Sequence, residues 1–279
     1  MPAIICSNCR KLISEEEPKC PYCGFSKKLQ RAPLVESAMF KEGGAAVKAL
    51  VGISIFLYVG SILIRPEAAL SMKNGIFGIG SPDAKALYLL GMTGGAPWAC
   101  GYYWTLLTAN FLHGSLLHIY FNMSWLRNLG FLTVTFLGPA RFTLIYMITG
   151  IGGFLASNMV HNSPTIGASC SLFGLMGVLI TFSRRRGGVQ GYRLNRQIWA
   201  WVIIGLVFGF VVPEVNNTGH VGGFVTGLAM GYFLPAHEGK RESAWERMAA
   251  LALLALTAVG LCISVWTMWD MQFNQPLCL

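Results

Sequence analysis

The chain has 279 residues, of which 54% are hydrophobic and only 12% charged, with a mean hydropathy of +0.53. A water-soluble domain cannot hide that much apolar surface, so composition argues against a soluble enzyme and for an integral membrane protein. The net charge of +9 does not call for nucleic acid as a partner, because the basic residues fall in blocks beside apolar runs.

Reading from the N-terminus, "CSNCRKLISEEEPKCPYCGF" holds one C-x2-C pair, Cys6 and Cys9, and a second, Cys20 and Cys23, ten residues later. Four thiolates at that spacing supply one tetrahedral zinc ion. Residues 1–26 therefore read as a four-cysteine zinc-ribbon-like module with a structural zinc. Four sulfurs leave no open coordination position, so the module suits docking of a cytoplasmic protein rather than catalysis. A redox dithiol or a disulfide pair is the alternative, and a reducing cytosol disfavours both. Gly24 permits a positive-φ turn that would aim backbone N–H groups at sulfur. The polar start predicts no cleavable signal peptide. Residues 27–46, with Pro33 and Gly43–Gly44, read as a linker.

Apolar runs follow at about 47–64, 115–136, 141–160, 169–183, 198–212, 220–235 and 248–268, near the roughly 20 residues that cross a bilayer. The predicted fold is an all-α polytopic membrane protein. Six helices form a core over residues 47–235, and residues 236–279 add a seventh C-terminal transmembrane helix with an outer tail. Lys27, Lys28, Arg31, Lys41 and Lys48 precede the first run. Arg184, Arg185, Arg186, Arg193 and Arg196 fill a predicted loop after the fourth, and Lys240, Arg241 and Arg247 lie between the sixth and seventh. Seven spans put all three blocks on one face, which is cytoplasmic by the positive-inside rule. The expected orientation is N-terminus inside and C-terminus outside, in a bacterial cytoplasmic membrane. Cys100 and Cys278 then both face outside and could bridge, whereas Cys262 reads as packing.

Polar groups inside a membrane are costly and mark functional candidates. No Asp or Glu occurs between Asp83 and Glu214, which removes a paired-aspartate protease, and H-E-x-x-H is absent, which argues against a membrane metalloprotease. What remains is Ser169, His113, His118, Asn122, Asn128 and His220, with His161 in an outer loop. Ser169 opens the fourth run, His220 the sixth, and His118 with Asn122 the second. All three helices run from outside to inside, so these groups cluster towards one face. The fourth run is about 22 Å long against a hydrocarbon core of roughly 30 Å, so Ser169 should start below the outer surface. The preceding "VHNSPTIGA" must then dip into the bilayer, which irregular backbone does only where protein or water surrounds it. Gly223, Gly227 and Gly231 form a small-residue stripe, and Gly174 and Gly177 invite close approach to it. Two helices in contact could bring Ser169 and His220 within hydrogen-bond reach, although a lone serine among glycines reads far more readily as packing. His118 and Asn122, four apart on one helical face, suit either an oxyanion hole or a polar pair that holds helix ends together.

Taken together, "HGSLLHIYFN", "GASCSLFGLMG" and "GHVGGFVTG" resemble the H-x4-H-x3-N, G-x-S-G-x-x-x-G and A/G-H-x-x-G-x-x-x-G motifs of the rhomboid intramembrane serine proteases. The resemblance covers about residues 47–235, and the helix beyond it is similar to the six-plus-one subtype. It implies a Ser169–His220 dyad with no cofactor for catalysis. His118, Asn122 and the Ser169 backbone N–H would hold the oxyanion, His113 would be structural, and Gly223 and Gly227 would serve helix contact. It also implies transmembrane protein substrates in the lipid bilayer, cut in or near their spans where helix-destabilising and small residues occur. Two departures stand out: Thr105 follows Trp104 where the family has W-R, and Cys170 follows Ser169 in place of glycine. Cys170 could shift the oxyanion hole or mute activity. The alternatives are a silent rhomboid-like binder of membrane proteins and a transporter whose polar cluster lines a pathway.

Overall fold

In the computed structural model the chain is described over residues 3–6, 9, 11–24, 44–69, 78–212, 215–234 and 242–273. The N-terminal module is a two-stranded antiparallel sheet, β1 (Ala3–Ile5) and β2 (Leu12–Ser14), with Ile4 opposite Ile13. Residues 27–43 of the expected linker lie outside the described residues, and Gly44 already opens a helix.

Seven long helices follow among the described residues. They are α1 (Gly44–Ile64), α6 (Leu116–Leu137), α7 (Pro139–Val160), α8 (Ser169–Arg186), α9 (Gly188–Val211), α10 (Asn217–Phe233) and α11 (Ala244–Phe273). Between α1 and α6 come the short helices α2 (Pro66–Ala69), α3 (Ala84–Leu89), α4 (Ala96–Ala99) and α5 (Thr105–Thr108), then a single 3-10 turn, Ala109–Phe111. By length and apolarity alone, α1, α7, α9 and α11 over Ala244–Thr267 can each cross a membrane. Of the other three, α10 is shorter at 17 residues, α8 ends in Arg184–Arg186, and α6 carries His118, Asn122 and Arg127 among its apolar residues.

α8 is the axis of the bundle. Every residue from Cys170 to Ser183 is buried, and α6, α7, α9 and α10 all pack against it. Its apolar character all round follows from that position. α9 is the opposite case: only Gly191, Ile198 and Val202 are buried, while Ile203, Ile204, Val207, Phe208 and Phe210 point outward.

Two sharp turns join successive long helices, and the second of them in the chain corrects the sequence reading. α8 runs on through Arg184–Arg186 and is joined to α9 at Gly187, φ +66°. The basic stretch 184–196 is therefore two helix ends and not a loop, with Arg184–Arg186 favourably placed at the C-terminus of α8 and Arg193 and Arg196 within α9. Gly138, φ +98°, makes the matching turn between α6 and α7, with Pro139 in the first position of α7. α11 extends both ends of the seventh run and packs against α7, α3 and α5. Arg141 at the start of α7 is 3% exposed and makes a two-pronged ion pair with Glu246, 2.7 and 3.1 Å, while Ser243 caps the same helix as Glu246.

Candidate active site

Ser169 is the first residue of α8 and half-buried, and no side chain caps the turn it begins. The first N–H groups of α8 are thus left without an intrahelical partner and point back towards the preceding loop. The segment before it is held in protein. Thr165 pairs with Thr93 in a β-bridge, Gly167 N–H donates to Ala109 O at 2.9 Å, and Thr165, Gly167 and Ala168 are buried. Residues 161–164 stay exposed, so only the second half of this loop is enclosed.

His220 is the fourth residue of α10 and buried. Its ring lies flat on Phe173, with centroids 4.3 Å apart and planes 13° from parallel. Phe173 is four residues beyond Ser169, on the same helical face. His220 Nδ1 is buried without a hydrogen-bond partner. Among the described residues no carboxylate hydrogen-bonds it. Nor does a hydrogen bond join it to Ser169 Oγ, as is common where a nucleophile and its base await a substrate.

The approach of α8 to α10 rests on the predicted glycines. A Cβ on Gly227 would strike the Gly174 backbone, one on Gly223 the Cys170 backbone, and one on Gly177 the backbone of Phe224 and Leu228. Here glycine is required by close approach and not by φ. Gly174 differs slightly: a Cβ there would strike Thr149 of α7, so it serves two contacts at once.

His118 lies in the first turn of α6, capped by Ser115. Its Nδ1 accepts from Gly114 N–H at 3.2 Å. In a neutral ring that bond puts the proton on Nε2. Nε2 is directed at Gly167, where a Cβ would lie 2.6 Å away, and Gly167 has φ +120°. The donor is therefore aimed at the backbone that leads into Ser169. Asn122 is buried on the same face; its Nδ2 donates to His118 O at 2.9 Å and its Oδ1 has no partner. One amide hydrogen of Asn122 is thus already committed to its own helix, and one is free for a ligand. His113 is fully buried, bonds to Phe111 O and meets the His118 ring edge-on at 5.1 Å. Asn128 and His161 are exposed and take no part.

Cys170 is buried, with its side chain packed between Gly153 of α7 and Gly219 of α10 and hydrogen-bonded to the Ser169 side chain. The sequence reading missed Phe173, Gly167 and Asn216. Phe173 had only its i+4 spacing from Ser169 as a signal, and Asn216 only a cap-like position before His220.

In the N-terminal module the Sγ atoms of Cys6, Cys9, Cys20 and Cys23 lie within 4.8 Å of one another, with Cys6–Cys23 and Cys9–Cys20 both at 3.7 Å. A tetrahedron of zinc–sulfur bonds of about 2.3 Å has an edge of about 3.8 Å, so the four thiols fit that ion. Burial pushes the Cys20 thiol up, but backbone N–H groups of Tyr22 and Cys23 and neighbouring thiols outweigh it and bring it down to about 7. Gly24 has the expected positive φ, +68°, but its N–H donates to Cys20 O and not to a sulfur. On the other side of the sequence, Cys100 is disulfide-bonded, and Cys278 lies outside the described residues.

Residues 100–237 match the Rhomboid domain family. The chain is 33% identical over 183 residues to rhomboid protease GluP of Bacillus subtilis, covering 65% of this chain and 35% of that protein. It is 32% identical over 133 residues to RHOMBOID-like protein 4 of Arabidopsis thaliana, covering 47% and 34%. It is 28% identical over 150 residues to inactive RHOMBOID-like protein 8 of the same plant, covering 49% and 42%. The chain thus spans from about a third to under half of the length of these curated relatives.

Proposed function

The chain belongs to the rhomboid family, and from that premise we propose that it is an intramembrane serine endopeptidase acting through a Ser169–His220 dyad. The observation that carries the reading is the flat seating of His220 on Phe173, which puts the imidazole on the Ser169 face of α8. In the expected reaction Ser169 Oγ attacks a peptide carbonyl while His220 takes the hydroxyl proton. The oxyanion is met by His118 Nε2–H, the free amide hydrogen of Asn122 and the unpaired N–H groups at the start of α8. His220 then passes the proton to the leaving amine, and water admitted from the outer face hydrolyses the acyl-enzyme. No cofactor is needed. The partnerless Nδ1 of His220 supports a dyad over a triad.

Substrates are transmembrane proteins. They would reach the site between α6 and α9, which meet through the ring pairs Phe121–Phe208 and Trp125–Trp201 and not through interlocked backbones. Such side-chain contacts can part without disturbing α8 or α10. Residues 47–235 form the protease core, 1–26 a zinc module and 236–279 an added helix and tail. The N-terminus is cytoplasmic, in a bacterial inner membrane, with a cytoplasmic protein as the module's partner. Free thiols in the module and a disulfide at Cys100 suit opposite sides of one membrane.

A fluorophosphonate probe tests the reading: wild-type protein should label, and Ser169→Ala and His220→Ala should not. Labelling that persists in Ser169→Ala would defeat it.

A further inference from the structure

Asn216 stands four residues before His220, and Thr165 four before Ser169. A single amide joins them. Asn216 Nδ2 donates to Thr165 Oγ1 at 3.0 Å and also to Ser157 Oγ of α7, while its Oδ1 accepts from Gly219 N–H at 3.0 Å and caps α10. Thr165 exchanges two backbone hydrogen bonds with Thr93, 2.8 and 3.3 Å. Thr93 Oγ1 accepts from Asn158 Nδ2 at 3.0 Å and lies 3.0 Å from Thr105 Oγ1. Thr93, Thr105, Ser157 and Asn158 are all at most 3% exposed, and Thr165 is 7% exposed. In so buried a place an unmade hydrogen bond is costly and a made one is rigid.

We propose that Asn216 is a positioning residue for the dyad, acting on both of its members. Through Thr165 it sets the loop that delivers Ser169. Through its cap it sets the first turn of α10 that delivers His220. A cap alone needs only Oδ1; the two bonds donated by Nδ2 cross to other elements and serve no capping purpose. Four residues on each side leave little slack, since Gly167 N–H is itself tied to Ala109 O and His220 N–H to Asn216 O. The inference rests on the dyad reading above.

The test is the concentration dependence of fluorophosphonate labelling in full-length protein, resolved into kinact and KI, with the thermal midpoint measured beside it. Asn216→Ser keeps a capping oxygen but cannot reach Thr165, and Thr165→Val keeps the shape but drops the hydroxyl. Each should lower kinact by about tenfold or more with KI within about twofold, because small misplacements act on the bond-forming step. Thr165→Ser should stay within about threefold of wild type, and the double variant Asn216→Ser/Thr165→Val should be little worse than either single one. Should Asn216→Ser fail to fold, the two Thr165 variants decide. Unchanged kinact in Thr165→Val, a loss that falls on KI, or a Thr165→Ser as slow as Thr165→Val would each overturn the proposal. A wild-type protein that does not label strikes the dyad reading first and takes this inference with it.

Discussion

The Cys170 thiol occupies a slot that two glycines leave for it. A Cβ on Gly153 would lie 2.6 Å from Cys170 Cβ and from Gly219 O, and one on Gly219 would lie 2.9 Å from Cys170 Sγ. The side chain in place of the family's glycine is therefore accommodated between α7 and α10, against Gly153 and Gly219. Cys170→Gly should label with the probe within about threefold of wild type, because the bond it removes, from the thiol to the Ser169 side chain, is not one the proposed reaction uses. Gly153→Ala should lower the thermal midpoint, since one of the atoms it meets is backbone and cannot move aside. A Cys170→Gly that abolishes labelling would contradict this. His118→Ala should cost about 10²–10³ in turnover of a cleavable substrate, the usual loss on removing one oxyanion donor. An unchanged rate would remove His118 from the site. Ser169, His220, His118 and Asn122 could be singled out as candidates in the sequence because polar side chains at the starts of apolar helices are few and expensive. Phe173 was not, because an aromatic residue in an apolar helix carries no chemical signal until its neighbour is known.

The helices that matter most are the closest pair, α8 and α10, and their contact is written in glycine. Gly227→Val should destabilise the protein sharply, because the added carbons meet the backbone of Gly174. Thermal unfolding in detergent would show it, and an unchanged midpoint would mean the two helices can separate freely. At the other end, the Arg141–Glu246 pair ties α11 to the turn between α6 and α7. Breaking one partner of such a buried pair costs about 3–5 kcal/mol, whereas replacing both with apolar residues costs far less. Arg141→Met should therefore be much less stable than Arg141→Met with Glu246→Met. Equal midpoints would show that the pair is not a coupled unit. The small-residue stripe and the apolar runs made these helices readable. Their ends were not, since Arg184–Arg186 and Arg193 look like a solvated loop until a single glycine, Gly187, is seen to turn the chain.

On the scale of the whole molecule the seven-helix order was legible from apolar runs and basic blocks. The hydroxyl network that ties the segment around Thr93–Thr105 to Ser157 and Thr165 was not, because it joins residues far apart in sequence. The added helix is tied to that segment: Trp104 Nε1–H donates to Ser264 Oγ of α11 at 3.0 Å, one residue before Thr105, where the sequence departs from the family's W-R. For the N-terminal module, metal analysis of gently purified protein should find about one zinc per chain, lost in Cys20→Ser, since four thiols complete the ion's shell. Absence of zinc from the wild type would contradict that. The central claim is that Ser169 is the nucleophile and His220 its base, and mass spectrometry of the fluorophosphonate adduct tests it most directly. The account expects one adduct, on Ser169, absent from His220→Ala; an adduct on Cys170, or one on Ser169 that forms as fast without His220, would contradict it.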